Sequence, residues 1–153
     1  VSVNSELIGR EFPPTPPYLV GREKVREFAR AVFADAPLHT DVDAARALGY
    51  ADVVAPPTFA MVIQDLTLQQ LLSEPDSGIE LSRTIHAEQR FSYSKPIVAG
   101  DELTGRLKVT GIRMMAGNAM ITSEAEITDA DGAHVVTATS VLLVGSEENE
   151  DAA

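Results

Sequence analysis

A chain of 153 residues is the size of one ordinary domain, and 44% hydrophobic residues give it the material for a real core. Its formal charge of -11 argues against nucleic acid, which is bound by Lys and Arg gathered on one face. Without cysteine there is no disulfide framework, thiolate metal site or cysteine nucleophile, and no apolar run reaches the roughly 18 residues that span a bilayer.

Residues 1–10 carry no basic stretch leading into an apolar block, so no signal peptide is expected and a soluble cytoplasmic protein is the default. Pro13-Pro14-Thr15-Pro16-Pro17 is too proline-rich for a helix or a central strand and predicts an extended lead-in over the surface. Residues 23–33 read as a helix, with Val25, Phe28, Ala29 and Val32 at helical spacing. Asp41 is placed to cap a short helix over 42–48 that Gly49 ends. The third helix, 58–73, is apolar around more than one stripe (Phe59, Met61, Val62, Ile63, Leu66, Leu68, Leu71, Leu72), the mark of an enclosed helix. Its polar Gln64, Asp65, Gln69 and Gln70 are expected where one side meets solvent or a partner. Pro75-Asp76-Ser77-Gly78 reads as a turn.

From Thr84 the period becomes two. Ile85, Ala87, Gln89, Phe91 and Tyr93 alternate with His86, Glu88, Arg90 and Ser92, which places His86 on a solvent face. Leu103, Leu107 and Val109 mark a second strand, Ile121, Ala125 and Ile127 a third, and the apolar run 135–144 a central one. Ala116-Gly117-Asn118 and Asp129-Ala130-Asp131-Gly132 supply hairpin turns, and His134 follows the second as a surface residue. Asp101, after Gly100, is expected to fix a turn. Helices first and an antiparallel meander after predict a single α+β domain over 1–145, the sheet curved around the long apolar helix in the hot-dog arrangement, with 146–153 an acidic disordered tail. Edge strands in such a sheet invite pairing, which favours a dimer.

Three stretches together carry a family likeness: Gly21 through Ala29, then Gly49-Tyr50 with Ala55-Pro56-Pro57-Thr58-Phe59, then Lys95-Pro96-Ile97-Val98-Ala99-Gly100-Asp101. With this order of elements the chain resembles the MaoC-like (R)-specific enoyl-thioester hydratases and dehydratases, and most of all the actinobacterial (3R)-hydroxyacyl-ACP dehydratase subunits. The resemblance implies an acyl-CoA or acyl-ACP substrate, no cofactor, and a homodimer or a heterodimer with a catalytic MaoC-like subunit. Active relatives carry a loop Asp-x-Asn-Pro-(Leu/Ile)-His whose Asp and His hold the reacting water. Here the loop is Ala34-Asp35-Ala36-Pro37-Leu38-His39: His39 keeps its place, the Asp position falls on Ala34, and Asp35 is displaced by one residue. His39 is the candidate base and Asp35 its helper.

In active relatives a His-Gly pair opens the long helix, and the glycine N–H receives the thioester oxygen. Pro56-Pro57 stands there in this chain, and proline has no N–H to offer. Losing one such donor costs about 2.7–4 kcal/mol of barrier, and only the Thr58 amide is left to replace it. As plain structure, Pro57 is a good helix start. The resemblance makes Pro57, Thr58, Phe59 and Val62 the substrate-binding candidates, on a helix that suits an acyl tail as well as a packed core. His86 and His134 lack ligand spacing, so no metal is expected. Three readings follow: a hydratase or dehydratase subunit with a degenerate loop, a non-catalytic acyl-binding partner of a catalytic subunit, and, last, a hot-dog thioesterase with Asp65 as the nearest helix carboxylate.

Overall fold

The computed structural model describes residues 2–146, so the expected acidic tail lies, beyond Ser146, outside the described residues. Five antiparallel strands make one sheet: β1 (Tyr18–Leu19), β2 (Thr84–Tyr93), β3 (Glu102–Met115), β4 (Asn118–Thr128) and β5 (His134–Val144), in the order β1-β3-β4-β5-β2. The alternation of β3 and β4 buries Leu103, Leu107, Val109, Ile121, Ala125 and Ile127 on one face, as the period-two pattern predicts. β5, expected to be central, pairs with β4 on one side and β2 on the other.

The phase of β2 departs from expectation. Its register against β5 slips between His86 and Glu88, so Ala87 is an extra residue. Each residue of a bulge reverses the alternation that follows it. His86 therefore pairs with Leu142 and shares the concave face with Gln89, Phe91 and Tyr93, not the convex face with Glu88 and Arg90, although it stays exposed at the strand end.

The long helix begins as a 3-10 turn, Pro57–Ala60, and continues as α3 (Met61–Leu72). Pro57 at the first position suits that start. The helix lies against β3 and β4, with Ile63, Gln64, Thr67, Leu68 and Leu71 buried. Gly105 lets it come close: a Cβ there would lie 2.7 Å from Thr67 Cγ2 and 3.2 Å from Ile63 Cγ2. Of the polar helix residues expected at solvent, Asp65 and Gln69 are exposed and hydrogen-bonded to each other at 2.9 Å, but Gln64 is fully buried against the sheet.

The two edges of the sheet differ. On the β3 side, the lead-in runs as an extended strap: Phe12 N–H donates to Leu107 O at 2.8 Å and Thr15 N–H to Gly105 O at 2.9 Å. The prolines keep this strap from becoming a regular strand while it covers the edge, and Leu7 and Phe12 drop into the core. On the other side β2 has β5 as its one strand neighbour, so its outer edge faces away from the sheet.

Two helices precede the site. α1 (Arg22–Ala31) buries Val25 and Ala29, and Phe28 packs edge-on against Phe59 with ring centroids 5.2 Å apart. It stops at Phe33, which has φ +57 and is 85% exposed; Ala34 N–H closes the turn on Ala29 O at 2.9 Å. That position usually holds glycine, since a side chain there is strained. α2 (Val42–Ala47) is capped as expected, the Asp41 carboxylate accepting from Asp43 N–H at 2.9 Å and Ala44 N–H at 3.3 Å, and Gly49 follows at φ +94.

Candidate functional site

Residues 53–55 form the floor of the site. Val54 bridges to Val98, Ala55 N–H donates to Ile97 O, and Ala99 N–H donates to Val53 O. This explains the Lys95–Asp101 motif in local terms. Gly100 takes φ +98, and the Asp101 carboxylate accepts from Val98 N–H at 2.9 Å, fixing the turn as expected. Asp52, just upstream, receives Arg22 of α1 at 2.6 and 3.0 Å, and that guanidinium holds its carboxyl down to about 2.

The Pro37–His39 segment is a 3-10 turn laid on the same floor: Val54 N–H donates to Leu38 O. His39, half-buried, places Nδ1 2.6 Å from Val54 O. A carbonyl can only accept, so Nδ1 carries a proton, and in the uncharged tautomer it is Nε2 that holds the lone pair. His39 lines a cleft of about 420 Å³ with Val54, Pro57, Tyr93, Lys95 and Ile97 among its walls. A base in an apolar cleft beside a helix start is an arrangement that can remove a proton next to a carbonyl.

Tyr93, at the end of β2, reaches the helix start. Its hydroxyl donates to Pro57 O and lies against the Ala60 amide, and burial raises its pKa to about 12. The helix start is thus met by the chain's own phenol. Lys95, at the cleft rim, is ion-paired to Asp129, which keeps it an ammonium.

The sequence-based candidates separate in space. His39 and Pro57 line the cleft. Asp35 is exposed, and no hydrogen bond or ion pair joins it to His39 among the described residues. Thr58 is exposed, Val62 is half-buried against the core, and Phe59 is fully buried within it. Asp65, the carboxylate a thioesterase would want, bonds to Gln69 on the exposed face of α3. His134 opens β5 half-buried, Nδ1 on Ser94 Oγ and Nε2 2.8 Å from Thr137 Oγ1. Tyr93 and Lys95 were not among the candidates. Tyr93's signal was its place in the inward alternation of β2, but only the packed structure brings that strand end to Pro57. Among the described residues no three His, Cys, Asp or Glu side chains are grouped to hold a metal ion, and no helix is long and apolar enough to cross a membrane.

Comparison with known proteins places this geometry. A family model described as "FAS1-like, dehydratase domain region" matches residues 6–138. A UPF0336 protein of Leifsonia xyli subsp. xyli is 55% identical over 148 residues, 97% of this chain and 99% of that one. A UPF0336 protein of Clavibacter michiganensis subsp. michiganensis is 59% identical over 146 residues, 95% and 98%. Among solved structures, a chain of the C-terminally truncated HadBC (3R-hydroxyacyl-ACP dehydratase) complex from Mycobacterium tuberculosis is 33% identical at a TM-score of 0.82, covering 90% of this chain and 96% of that one. A MaoC-like dehydratase is 38% identical at the same TM-score of 0.82, covering 92% of this chain and 43% of that one. The hot-dog expectation holds: the fold is that of the MaoC-like dehydratases.

Proposed function

Since the chain belongs to the FAS1-like dehydratase family, of MaoC-like hot-dog type, we propose that it is a subunit of a (3R)-hydroxyacyl-thioester dehydratase, working on acyl-CoA or acyl-ACP beside a second MaoC-like chain that supplies the complete catalytic loop. Dehydration takes a proton from the α carbon and the hydroxyl from the β carbon, forms the double bond and releases water, so it needs a base and an acid. His39 is the base candidate and Asp35 its helper; Asp35 is exposed and makes no hydrogen bond to His39 among the described residues.

One observation carries the need for a partner: the helix start has lost its donor at Pro57 and is met by the Tyr93 hydroxyl where a thioester oxygen would have to come. The HadBC complex, named for two subunits, supports a paired assembly, and the outer edge of β2 offers backbone groups for one. In this reading Pro57 lines the acyl cleft and Thr58 follows it, while Phe59 lies in the core and Val62 packs against it, where an acyl tail would have to reach them through the helix–sheet seam.

The test follows loss of enoyl absorbance from crotonyl-CoA with purified chain, alone and mixed with a MaoC-type chain that carries the intact Asp-x-Asn-Pro-x-His loop. No turnover alone and turnover on mixing are expected. Turnover by the chain alone that vanishes in His39→Ala would make it a self-sufficient enzyme and overturn the need for a partner. Free thiol released from a saturated acyl-CoA would make it a thioesterase.

A further inference from the structure

A row of polar side chains crosses the apolar seam between α3 and the sheet. Ser123 and Ser140, both fully buried, pair across β4 and β5 with hydroxyls 3.0 Å apart. Gln89 of β2 stands opposite Ser140 in the register, so the three occupy one transverse line on the concave face. Gln64 of α3 lies over the same stretch: its Nε2 donates to Ala138 O at 3.3 Å, two residues from Ser140 on that face of β5.

Two acceptors in this row have no donor. Gln64 Oε1 and Gln89 Oε1 are buried and unpartnered. Gln64 is 0% exposed. The donor side of the Gln64 amide is engaged with a backbone carbonyl, which fixes the orphan as the oxygen. A buried amide oxygen left bare is costly, and a native chain that keeps two of them over the same face of β5 calls for a reason. A groove of about 400 Å³ opens between Met61, one helical turn before Gln64, and the His86–Gln89 edge; Gln89 is in its lining and Gln64 lies behind Met61.

We propose that this seam is an acceptor site, in which the Gln64 and Gln89 carbonyls receive a hydrogen-bond donor carried by an acyl-thioester ligand entering through that groove. The proposal rests on the acyl-thioester reading above. Such a ligand offers donors at two places, the hydroxyl on its third carbon and the pantetheine arm, whose amide N–H nearest the sulfur lies closest to the acyl group. The two differ in consequence. Dehydration removes the hydroxyl, so a site that reads it holds substrate and releases enoyl product, whereas a site that reads the amide holds both alike.

Calorimetric titration of the full chain with three thioesters of one acyl length separates them: the S-ethyl ester of decanoate, which has neither donor, its 3-hydroxy counterpart, and decanoyl-N-acetylcysteamine, which has the amide alone. One donor-bearing ligand is expected to bind about fivefold tighter than the donor-free one. Gln64→Met and Gln89→Met, each of similar volume without the amide, are expected to erase that gain, so that the three ligands bind the variant alike. Should Gln64→Met melt out, Gln89→Met at the strand edge carries the test. A donor-free ligand that binds as well as the other two, or a gain that survives in Gln89→Met, overturns the acceptor site and leaves the acyl-thioester reading standing. Failure of all three to bind removes both.

Discussion

Tyr93 places its hydroxyl proton on the Pro57 carbonyl, and burial makes that proton hard to remove. Its pKa rises from an ordinary 10.0 to about 12, so between those values the folded chain keeps a proton that the unfolded chain gives up. The resulting stabilisation is whole below pH 10 and disappears as pH climbs through 12. Ultraviolet titration of the three tyrosines should show one ionising near 12, absent in Tyr93→Phe. The same variant should lose less stability than the native chain between pH 10 and 12, and about 0.5–1.5 kcal/mol at neutral pH for the missing hydrogen bond. His39 illustrates the complementary case: the Val54 carbonyl at 2.6 Å chooses its tautomer and so decides which nitrogen is left for chemistry.

At the scale of elements, the contact between α3 and β3 turns on a missing side chain. A methyl group on Gly105 would meet Thr67 Cγ2 at 2.7 Å and Ile63 Cγ2 at 3.2 Å, both on stiff branched residues buried in the seam. Gly105→Ala is expected to cost about 1–3 kcal/mol in denaturant titration as the helix is pushed off the sheet. Gly111→Ala, six residues along the same strand with nothing within 4 Å of the added carbon, is the matched control and should stay within about 0.5 kcal/mol. The bulge at Ala87 acts on the same scale: one inserted residue sends His86 to the concave face and sets where Gln89 begins the inward row.

In the whole molecule, the N-terminal strap belongs to the fold and not to its surface. Leu7 is 1% exposed and its neighbour Ile8 is 51% exposed, which makes a sharp comparison. Leu7→Ala should destabilise by about 2–5 kcal/mol, as removal of a core leucine does, and Ile8→Ala by less than about 0.5. With the strap closing the β3 edge and β2 bordered by one strand, the two sides of the sheet are unequal: one is finished by the chain itself, and the other offers backbone donors and acceptors outward. That asymmetry is what the proposed pairing with a second chain would use.

How much was legible varies with the range of the interaction concerned. Periodicity located the helices and strands, because each sequence repeat maps directly onto one face of one element; the capped helix after Asp41, the central strand over 135–144 and the turn fixed by Asp101 follow from a few neighbouring residues. The loop around His39 and the prolines at the helix start were readable as departures from a motif. Contacts between segments distant in sequence were not: Phe59 turned into the core against Phe28, Tyr93 reaching Pro57, and Gln64 sealed beneath the sheet. A glutamine among leucines reads as a solvent face until the neighbouring strands are in place. By itself the sequence determined the elements and their order, since those depend on local pattern, and the family chemistry to expect came from the resemblance its motifs carry. The tertiary structure alone decided which side chains share a cleft and which polar atoms are left without a partner, since burial belongs to the packed whole.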